Sequence, residues 1–307
     1  MITAAAVNEL RQKSGAGIMD CKKALQECNG DTEEASQWLR KKGLAAAAKK
    51  SGRVAAEGLV ATAITPSAKC GAILELNSET DFVAKNDKFQ GLALKLISDY
   101  LEFDGDLEKF KTSINKLSNK TVDDEISENV GIIGENMILR RTHRIVMNHG
   151  VVVRYLHNQI APQLGKIGVL VGFETDIDAK KVQDFGRQIA MHIAATKPES
   201  LEIANLDQKL VDKERDVISE QCLASGKPPA VIEKMVEGRM AKFYEQVVLL
   251  EQVFVVDGQT KIKDVISNFA KENNGHITLK EFVRFTLGEG IEKEKTDLAK
   301  EIASINS

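Results

Sequence analysis

The chain has 307 residues, a formal net charge of −3 and a sequence pI near 6.1. This length leaves room for about two or three domains with hydrophobic cores of their own. The slightly acidic balance argues against nucleic acid as a direct partner. The apolar runs are too short to span a bilayer and the first residues show no signal-peptide pattern, so we expect a cytoplasmic protein without a membrane partner.

Charge is distributed unevenly along the chain, and the cysteines are scattered. Residues 1–53 carry ten Lys or Arg against six Asp or Glu, a local charge of +4. The four cysteines, at positions 21, 28, 70 and 222, show no Cys-x-x-Cys spacing. We therefore expect buried thiols in a reducing compartment.

The first 44 residues predict three short helices separated by glycine-containing turns. Thr3 is placed to cap the first helix, which residues 14–17 end. A second helix is predicted over residues 18–28, and Asp31 with Glu34 predicts a capping box at the start of a third. Three such helices are typical of a ubiquitin-associated-like bundle with an exposed contact face.

A basic, alanine-rich stretch follows this bundle at residues 43–53. It has two interpretations, a solvated helical connector or a segment that binds phosphate. The Gly15-Ala-Gly17 sequence does not support dinucleotide binding, because it follows a helix instead of a strand and Asp20 occupies the place of the third glycine.

From residue 54 to about residue 198, predicted strands alternate with predicted helices. The strands are 54–65, 70–79, 151–157 and 167–174, and the helices are 82–101, 129–147 and 179–196. Hairpins alternating with helices indicate the α+β class with antiparallel sheets.

Two segments of this region resemble each other. Residues 71–85 (GAILELNSETDFVAK) and 168–180 (GVLVGFETDIDAK) both run from an apolar strand through Glu-Thr-Asp into a helix. This similarity indicates a diverged internal duplication of a sheet-plus-helix subdomain. The second copy has Ile177 where the first has Phe82. An aromatic ring required by the fold would be expected in both copies, so the difference favours a task specific to Phe82.

The turn that contains Phe82 has two interpretations. Thr80 and Asp81 are both able to cap the helix that follows, and Phe82 could pack against that helix as a hydrophobic staple. Alternatively, a residue in the first helical turn points off the end of the helix, and Phe82 is displayed to solvent.

Residues 209–247 predict an antiparallel helical hairpin. Five apolar residues in its second half recur at spacings of three and four: Ile232, Val236, Met240, Phe243 and Val247. The turn at 225–229 reverses the chain, and the apolar face is expected to pack against Val211, Ile218 and Cys222. The hairpin either packs on the body or protrudes as an arm. A helix over 260–273, a strand over 278–286 and a charged helix over 293–305 complete the chain.

No catalytic motif is found. Phosphate-binding loops, zinc-binding His-Glu-x-x-His and nucleophile elbows are missing from the sequence. His192 falls on an apolar helix face and is interpreted as a core residue, whereas His157 precedes a loop and is either a contact residue or a surface residue. We expect no cofactor and no metal of its own, and a protein that acts by binding instead of as an enzyme.

Six segments, in order, resemble the elongation factor Ts family. They are residues 14–25 (SGAGIMDCKKAL), 79–85 (ETDFVAK), 166–171 (KIGVLV), 190–195 (AMHIAA), 233–239 (EKMVEGR) and 288–291 (GEGI). They span the chain from end to end. The resemblance implies a guanine nucleotide exchange factor for elongation factor Tu, and a bacterial protein, since the hairpin is present.

The resemblance also implies a domain division. It comprises a bundle with its linker at 1–53, core subdomain one at 54–150, core subdomain two at 151–208 completed by 248–287, a coiled-coil hairpin at 209–247 and a C-terminal helical module at 288–307.

The resemblance assigns two sets of contacts with elongation factor Tu in its GDP-bound and nucleotide-free states. The segment that intrudes beside the Mg²⁺ site of the partner comprises Thr80, Asp81, Phe82 and Val83. The other contacts are Ile18, Met19 and His157. The segment 158–165 is longer than the family pattern, which weakens the assignment of His157.

Two rival classes of function remain at this stage. An enzyme would need a pocket with convergent titratable groups and would turn over nucleotide by itself. A scaffold or chaperone-like binding protein would use the bundle and the hairpin in the same way but would give Phe82 no special role.

Overall fold

The computed structural model describes residues 2–115 and 118–292 and has the α+β architecture that the sequence predicts. The α-helices of this part are α1 Ala4–Ser14, α2 Ile18–Glu27, α3 Thr32–Lys50, α4 Asp81–Ala84, α5 Asp87–Glu102, α6 Leu107–Thr112, α7 Val122–Ile133, α8 Ala179–Thr196, α9 Gln208–Leu223, α10 Pro229–Val247 and α11 Ile262–Glu272. The strands are β1 Glu57–Ile64, β2 Cys70–Ser78, β3 Ile114–Asn115, β4 Lys120–Thr121, β5 Met137–Val146, β6 Val151–His157, β7 Leu164–Gly165, β8 Ile167–Thr175 and β9 Ile277–Thr286.

The strands form three sheets. Their orders are β5–β2–β1–β7, β3–β4 and β6–β8–β9. The β6–β8 pair is antiparallel, as predicted, with a register that runs from Val151 opposite Phe173 to His157 opposite Ile167. The described residues form two compact units, one of residues 2–61, 74–115, 118–142 and 286–292, the other of residues 62–73 and 143–285. The division into five segments stays a prediction.

Helices α1, α2 and α3 enclose a small core of their own. The Thr3 hydroxyl accepts a hydrogen bond from the Ala6 amide, so the predicted cap of α1 is confirmed. The Asp31 carboxylate accepts bonds from the Glu33 and Glu34 amides and caps α3, but the Asp31 amide donates to the Cys28 carbonyl, so the return bond from Glu34 that the predicted capping box requires is not made within the described residues. Gly15, with φ of 69°, ends α1. The core residues of these helices include Leu10, Cys21 and Leu25, which are fully buried. The segment 43–50 continues α3 and is helical.

Helix α3 packs along α7 within the first unit. The Lys50 ammonium group donates to the Gly134 carbonyl over 2.6 Å, and Arg40 pairs with Glu128 at 3.1 Å. Residues 43–50 are therefore not solvated on all sides, because the helix α3 to which they belong packs with one side against α7.

The helix predicted over residues 129–147 is wrong. Helix α7 ends at Ile133, because Gly134 has φ of 93° and closes it with a left-handed residue. Residues 137–146 then form strand β5 in the larger sheet. Several apolar residues at the junction fit a helical period as well as a strand, and Gly134 separates the two elements.

In the second unit, helix α8 packs on strands β6 and β8. Their shared core contains Val153, Val171, Phe173 and Ile189 among its buried residues. The rings of Phe185 and Phe269 stack at 4.0 Å between their centroids. This core joins α8 and α11 to the sheet.

Helices α9 and α10 form the predicted hairpin in the same unit. The apolar seam between them contains Val211, Ile218 and Cys222 from α9 with Val236 and Met240 from α10, as expected. Gly226, with φ of 66°, lies in the turn between them. The predicted helix over 293–305 lies outside the described residues.

Candidate functional site: an exposed aromatic turn after strand β2

A single helical turn, α4, follows strand β2 and displays an aromatic ring. Phe82 is 77% exposed, while Val83 and Ala84 beside it are 5% and 1% exposed. The chain then restarts as α5, whose first amides bond to the Asn86 side chain. The helix predicted over 82–101 is therefore two helices. Of the two interpretations of Phe82, display to solvent is confirmed and the staple is wrong, because the ring is 77% exposed.

The turn is held by a carboxylate from a distant part of the chain. Glu135 accepts a bond from the Thr80 amide at 2.9 Å and one from the Thr80 hydroxyl at 2.6 Å. Next to it, Glu79 accepts the Asn136 amide at 2.6 Å. The Thr80 side chain makes no capping bond to α4. The cap predicted for Thr80 is wrong, because Glu135 takes its hydroxyl instead.

The Asp81 carboxylate has no structural task within residues 2–115 and 118–292. It is exposed, and no group of this part of the chain hydrogen-bonds to it or pairs with it. The cap predicted for Asp81 is therefore also wrong. A charged group and an aromatic ring stand side by side on a turn whose other residues are fixed, an arrangement that is suited to contact with another molecule.

The second Glu-Thr-Asp segment uses the same residue types for the fold. Asp176 accepts the His276 amide at 2.6 Å, and the Thr175 hydroxyl donates to the His276 carbonyl at 2.7 Å. Ile177 is half-buried and lies so close to Gly275 that a Cβ there would be 2.5 Å from its Cγ1. In the second copy, Asp176 and Ile177 therefore contact neighbouring residues of the fold. Asp81 and Phe82, at the equivalent positions of the first copy, are exposed.

Ile18 and Met19 begin helix α2 and are exposed, Ile18 by 51% and Met19 by 75%. The loop before them is linked to the Phe82 region, because the Lys88 ammonium group in the first turn of α5 donates to the Gly15 carbonyl over 2.5 Å. One side chain thus ties the start of α2 to the helix that follows the aromatic turn.

His157 ends strand β6 in the second unit and is exposed. Its Nδ1 lies 3.1 Å from the Tyr155 hydroxyl, and the two rings are stacked with centroids 6.2 Å apart. The neighbouring tyrosine therefore fixes the orientation of the imidazole.

His192 is a core residue, as predicted. Its Nδ1 accepts the Val255 amide at 3.3 Å, so the proton is on Nε2, which lies 2.9 Å from the Gln252 side-chain oxygen. Burial lowers the pKa of this imidazole, since the charged form would lose its hydration. His192 is thus a neutral structural group.

Two acidic residues with structural tasks were missed from the sequence. Glu135 is one, and Glu75 is the other. The fully buried Glu75 carboxylate lies 3.1 Å from Arg140 and 2.6 Å from Arg141, and it accepts the Gly288 amide at 2.8 Å. A lone glutamate within the apolar run of β2 was a signal for such a buried pair.

None of the helices in the described part of the chain is long and apolar enough to cross a membrane. Among the same residues, no group of three or more His, Cys, Asp or Glu side chains is arranged to hold a metal ion.

Comparison with known proteins identifies the family. The family model described as "Elongation factor TS" matches residues 79–289, which begin at the aromatic turn. A protein named elongation factor Ts from Rhodospirillum centenum is 54% identical over 99% of this chain and 98% of its own length. Its namesakes from Rhodospirillum rubrum and Zymomonas mobilis are 53% and 51% identical, with the same coverage. The chain therefore belongs to the elongation factor Ts family.

Proposed function

We propose that this chain is the guanine nucleotide exchange factor of elongation factor Tu in the cytoplasm. It binds elongation factor Tu in its GDP complex, accelerates the release of GDP and stabilises the nucleotide-free state until GTP enters. It acts by binding and performs no covalent chemistry. Membership of the elongation factor Ts family supports this proposal.

The observation that carries the proposal is the turn at Asp81 and Phe82. The ring is 77% exposed although Val83 beside it is buried, and the adjacent carboxylate is left without a partner among the described residues. Exposing a phenylalanine on a fixed turn gives the isolated protein no stability. It supplies an anchor for a pocket on another protein, since buried aromatic anchors contribute much of the free energy at interfaces.

We assign Asp81 and Phe82 to the Mg²⁺ site of the partner GTPase. Mg²⁺ requires near-octahedral oxygen ligands and bridges nucleotide to protein. An inserted ring displaces the elements that hold its water ligands, and the Asp81 carboxylate competes for their hydrogen bonds. Once the ion has left, the phosphates are held by backbone amides with less charge compensation, and GDP dissociates faster. Thr80 and Val83 hold the turn.

Thermodynamic linkage limits what such a factor does. It adds no free energy to the exchange reaction and stabilises only the nucleotide-free state. Nucleotide must therefore weaken the binding of the factor by the same ratio by which the factor weakens the binding of nucleotide. GTP present in excess then displaces the factor and completes the cycle.

Three further residues are proposed to contact elongation factor Tu. Ile18 and Met19, both exposed at the start of α2, are proposed to bind the GTPase domain, and His157 is proposed as a further contact.

We interpret helices α1–α3 as a ubiquitin-associated-like bundle and the two sheet regions as duplicated subdomains. The hairpin α9–α10 is interpreted as a coiled coil and the last residues as a C-terminal helical module, with the five-segment division given above.

The test is the release of labelled GDP from purified elongation factor Tu, with and without this chain. Acceleration at sub-stoichiometric concentration is expected. Chelating Mg²⁺ with EDTA should shrink the accelerating effect, because the ion that the factor displaces is already gone. Binding without acceleration would instead indicate a scaffold, and nucleotide turnover by the isolated chain would indicate an enzyme.

A further inference from the structure

The segment from Gly134 to Asn136 contacts both the end of helix α3 and the aromatic turn within the first unit. It lies between α7 and β5. Its Gly134 carbonyl accepts the Lys50 ammonium group at the end of α3, and the Asn136 side chain donates to the Arg53 carbonyl over 2.7 Å. On its other side, Glu135 and the Asn136 amide bind Thr80 and Glu79. Three consecutive residues thus link the chain after the N-terminal helices to the aromatic turn.

Glu135 makes the closest of these connections. One carboxylate oxygen accepts the Thr80 hydroxyl at 2.6 Å and the other accepts the Thr80 amide at 2.9 Å. Bonds to an ionised acceptor are shorter and stronger than bonds between neutral groups, and two bonds fix direction as well as distance. Thr80 directly precedes α4, so this pair of bonds sets where the helical turn begins.

Other side-chain bonds also reach the turn, since the Ser78 hydroxyl donates to the Thr80 carbonyl at 3.0 Å and the Gln90 side chain donates to the Ala84 carbonyl at 3.0 Å. Helix α4 has four residues, and its N-terminal residue has no side-chain cap. Only Val83 and Ala84 of the turn are buried, while Asp81 and Phe82 face outward. Without the Glu135 bonds, the start of so short a helix would be held by the Ser78 bond and by the buried side chains of Val83 and Ala84. The helix would then be freer to rotate or fray at its first residues, which carry the exposed pair.

We infer that Glu135 is a positioning residue, which holds Asp81 and Phe82 in the orientation required for nucleotide exchange through its two hydrogen bonds to Thr80. This inference rests on the proposed function, because the exchange reaction is what the orientation serves. Glu135 acts through Thr80 and is not itself a contact with the partner. A small displacement of a group that must enter a defined pocket lowers a rate strongly.

The first test measures the turn without any partner. Amide hydrogen exchange is followed by NMR in the wild type and in the variants Glu135→Ala, Glu135→Gln and Glu108→Ala. Glu108 is an exposed acid of the same unit that pairs with Lys111, and it serves as the matched control. The Thr80 amide and those of residues 81–86 should exchange at least about ten-fold faster in Glu135→Ala. Unchanged exchange there would overturn the inference.

The second test measures GDP release from elongation factor Tu. Glu135→Ala should lower the maximal stimulated rate by about ten-fold, whereas Glu108→Ala should not change it. Glu135→Gln keeps one acceptor oxygen and should recover most of the rate. If Glu135→Gln were as slow as Glu135→Ala while both proteins melt like the wild type, a positioning role through Thr80 would be wrong.

A double-mutant cycle separates positioning from direct contact. Thr80→Val removes the hydroxyl at nearly constant shape. If Glu135 acts through Thr80, the double variant should be little slower than Glu135→Ala alone, whereas independent contacts would give losses that multiply. Multiplying losses would overturn the inference. A wild-type chain that does not accelerate GDP release at all would contradict the proposed function, and the exchange measurement at Thr80 would still decide the role of Glu135.

Discussion

Gly43 of helix α3 and Gly131 of helix α7 lie against each other, backbone to backbone. A Cβ on Gly131 would be 2.6 Å from the Gly43 Cα, whereas a Cβ on Gly43 would be 3.8 Å from the Gly131 Cα. Only one of the two glycines is therefore required by the close approach of the helices. The asymmetry offers a matched pair of substitutions at a single contact.

Gly131→Ala should destabilise the first unit by about 1–3 kcal/mol, because the added methyl group meets helix backbone that has to move. Gly43→Ala places its methyl group at an ordinary contact distance and should be neutral, or stabilising by up to about 1 kcal/mol through the better helix propensity of alanine. Urea unfolding of both variants measures the two effects. Equal effects would mean that the helices do not meet at these glycines.

Local signals in the sequence sufficed for the N-terminal helices, whereas they left the ring of Phe82 with two interpretations. The caps of α1 and α3 depend on residues two or three positions away, and the display of Phe82, one of its two interpretations, follows from its place in a first helical turn. The error at 129–147 is also local in origin. Apolar residues on both sides of Gly134 fit one continuous helix, but that glycine adopts a left-handed conformation and separates a helix from a strand.

The residues that hold the site in place could not be predicted from local signals in the sequence. Thr80 and Glu135 are 55 positions apart, and Glu75 and Gly288 are 213 apart. No spacing rule connects such residues, because the fold alone brings them together. The same reason explains the mistaken caps at Thr80 and Asp81. Both residue types favour caps in general, and a remote carboxylate competed successfully for the Thr80 hydroxyl.

Phe82→Ala should slow stimulated GDP release by about ten-fold or more, since losing an aromatic anchor at an interface typically costs about 2 kcal/mol. Stability should change by no more than about 0.5 kcal/mol, because the ring is exposed. Ile177→Ala, at the equivalent position of the second copy, is the matched control. It should lower stability and leave release unchanged. If Phe82→Ala stimulates GDP release at the wild-type rate, the ring does not have the role assigned to it.

Asp81→Ala should lose exchange activity without losing stability. The carboxylate has no partner among the described residues, so no cap or ion pair disappears with it. The measurement combines thermal unfolding with the GDP-release assay. Asp31→Ala, which removes the cap of α3, is the control for a true cap and should cost about 1 kcal/mol. A stability loss of that size in Asp81→Ala would show that the carboxylate serves the fold.

His192 should make stability depend on pH in a defined direction. Its folded pKa is lowered by burial, so the unfolded chain binds the proton more readily than the native protein. Its contribution is therefore fully present above the unfolded pKa of about 6.5 and is lost as the pH falls from that value toward the lower folded pKa. Urea unfolding between pH 8 and pH 5 measures this loss.

The variant His192→Gln keeps a donor toward Gln252 but has no group that titrates in this range. The fall in stability below about pH 6.5 should be smaller in this variant than in the wild type. His149→Gln, at an exposed histidine, should retain the wild-type dependence. An unchanged pH profile in His192→Gln would mean that another group is responsible.

Removal of the hairpin should weaken binding more than it slows exchange. The seam of α9 and α10 is a separate apolar cluster, and none of its residues belongs to the core that joins α8 and α11 to the sheet. Residues 212–246 can therefore be replaced by a short turn that joins Val211 to Val247. The chain would keep the Glu199 amide bonded to the Val247 carbonyl at 2.8 Å. We expect a cooperative thermal transition from the shortened protein.

Titration of the shortened protein in the GDP-release assay separates affinity from maximal rate. Phe82 belongs to the other unit, so its action on the partner should persist at saturation, while the half-saturating concentration should rise several-fold as the contacts of the hairpin are lost. Combining the truncation with Phe82→Ala is the control. The two losses should multiply, because they arise at separate sites. If the maximal rate instead collapses at saturation in a protein that still folds, the hairpin takes part in exchange itself.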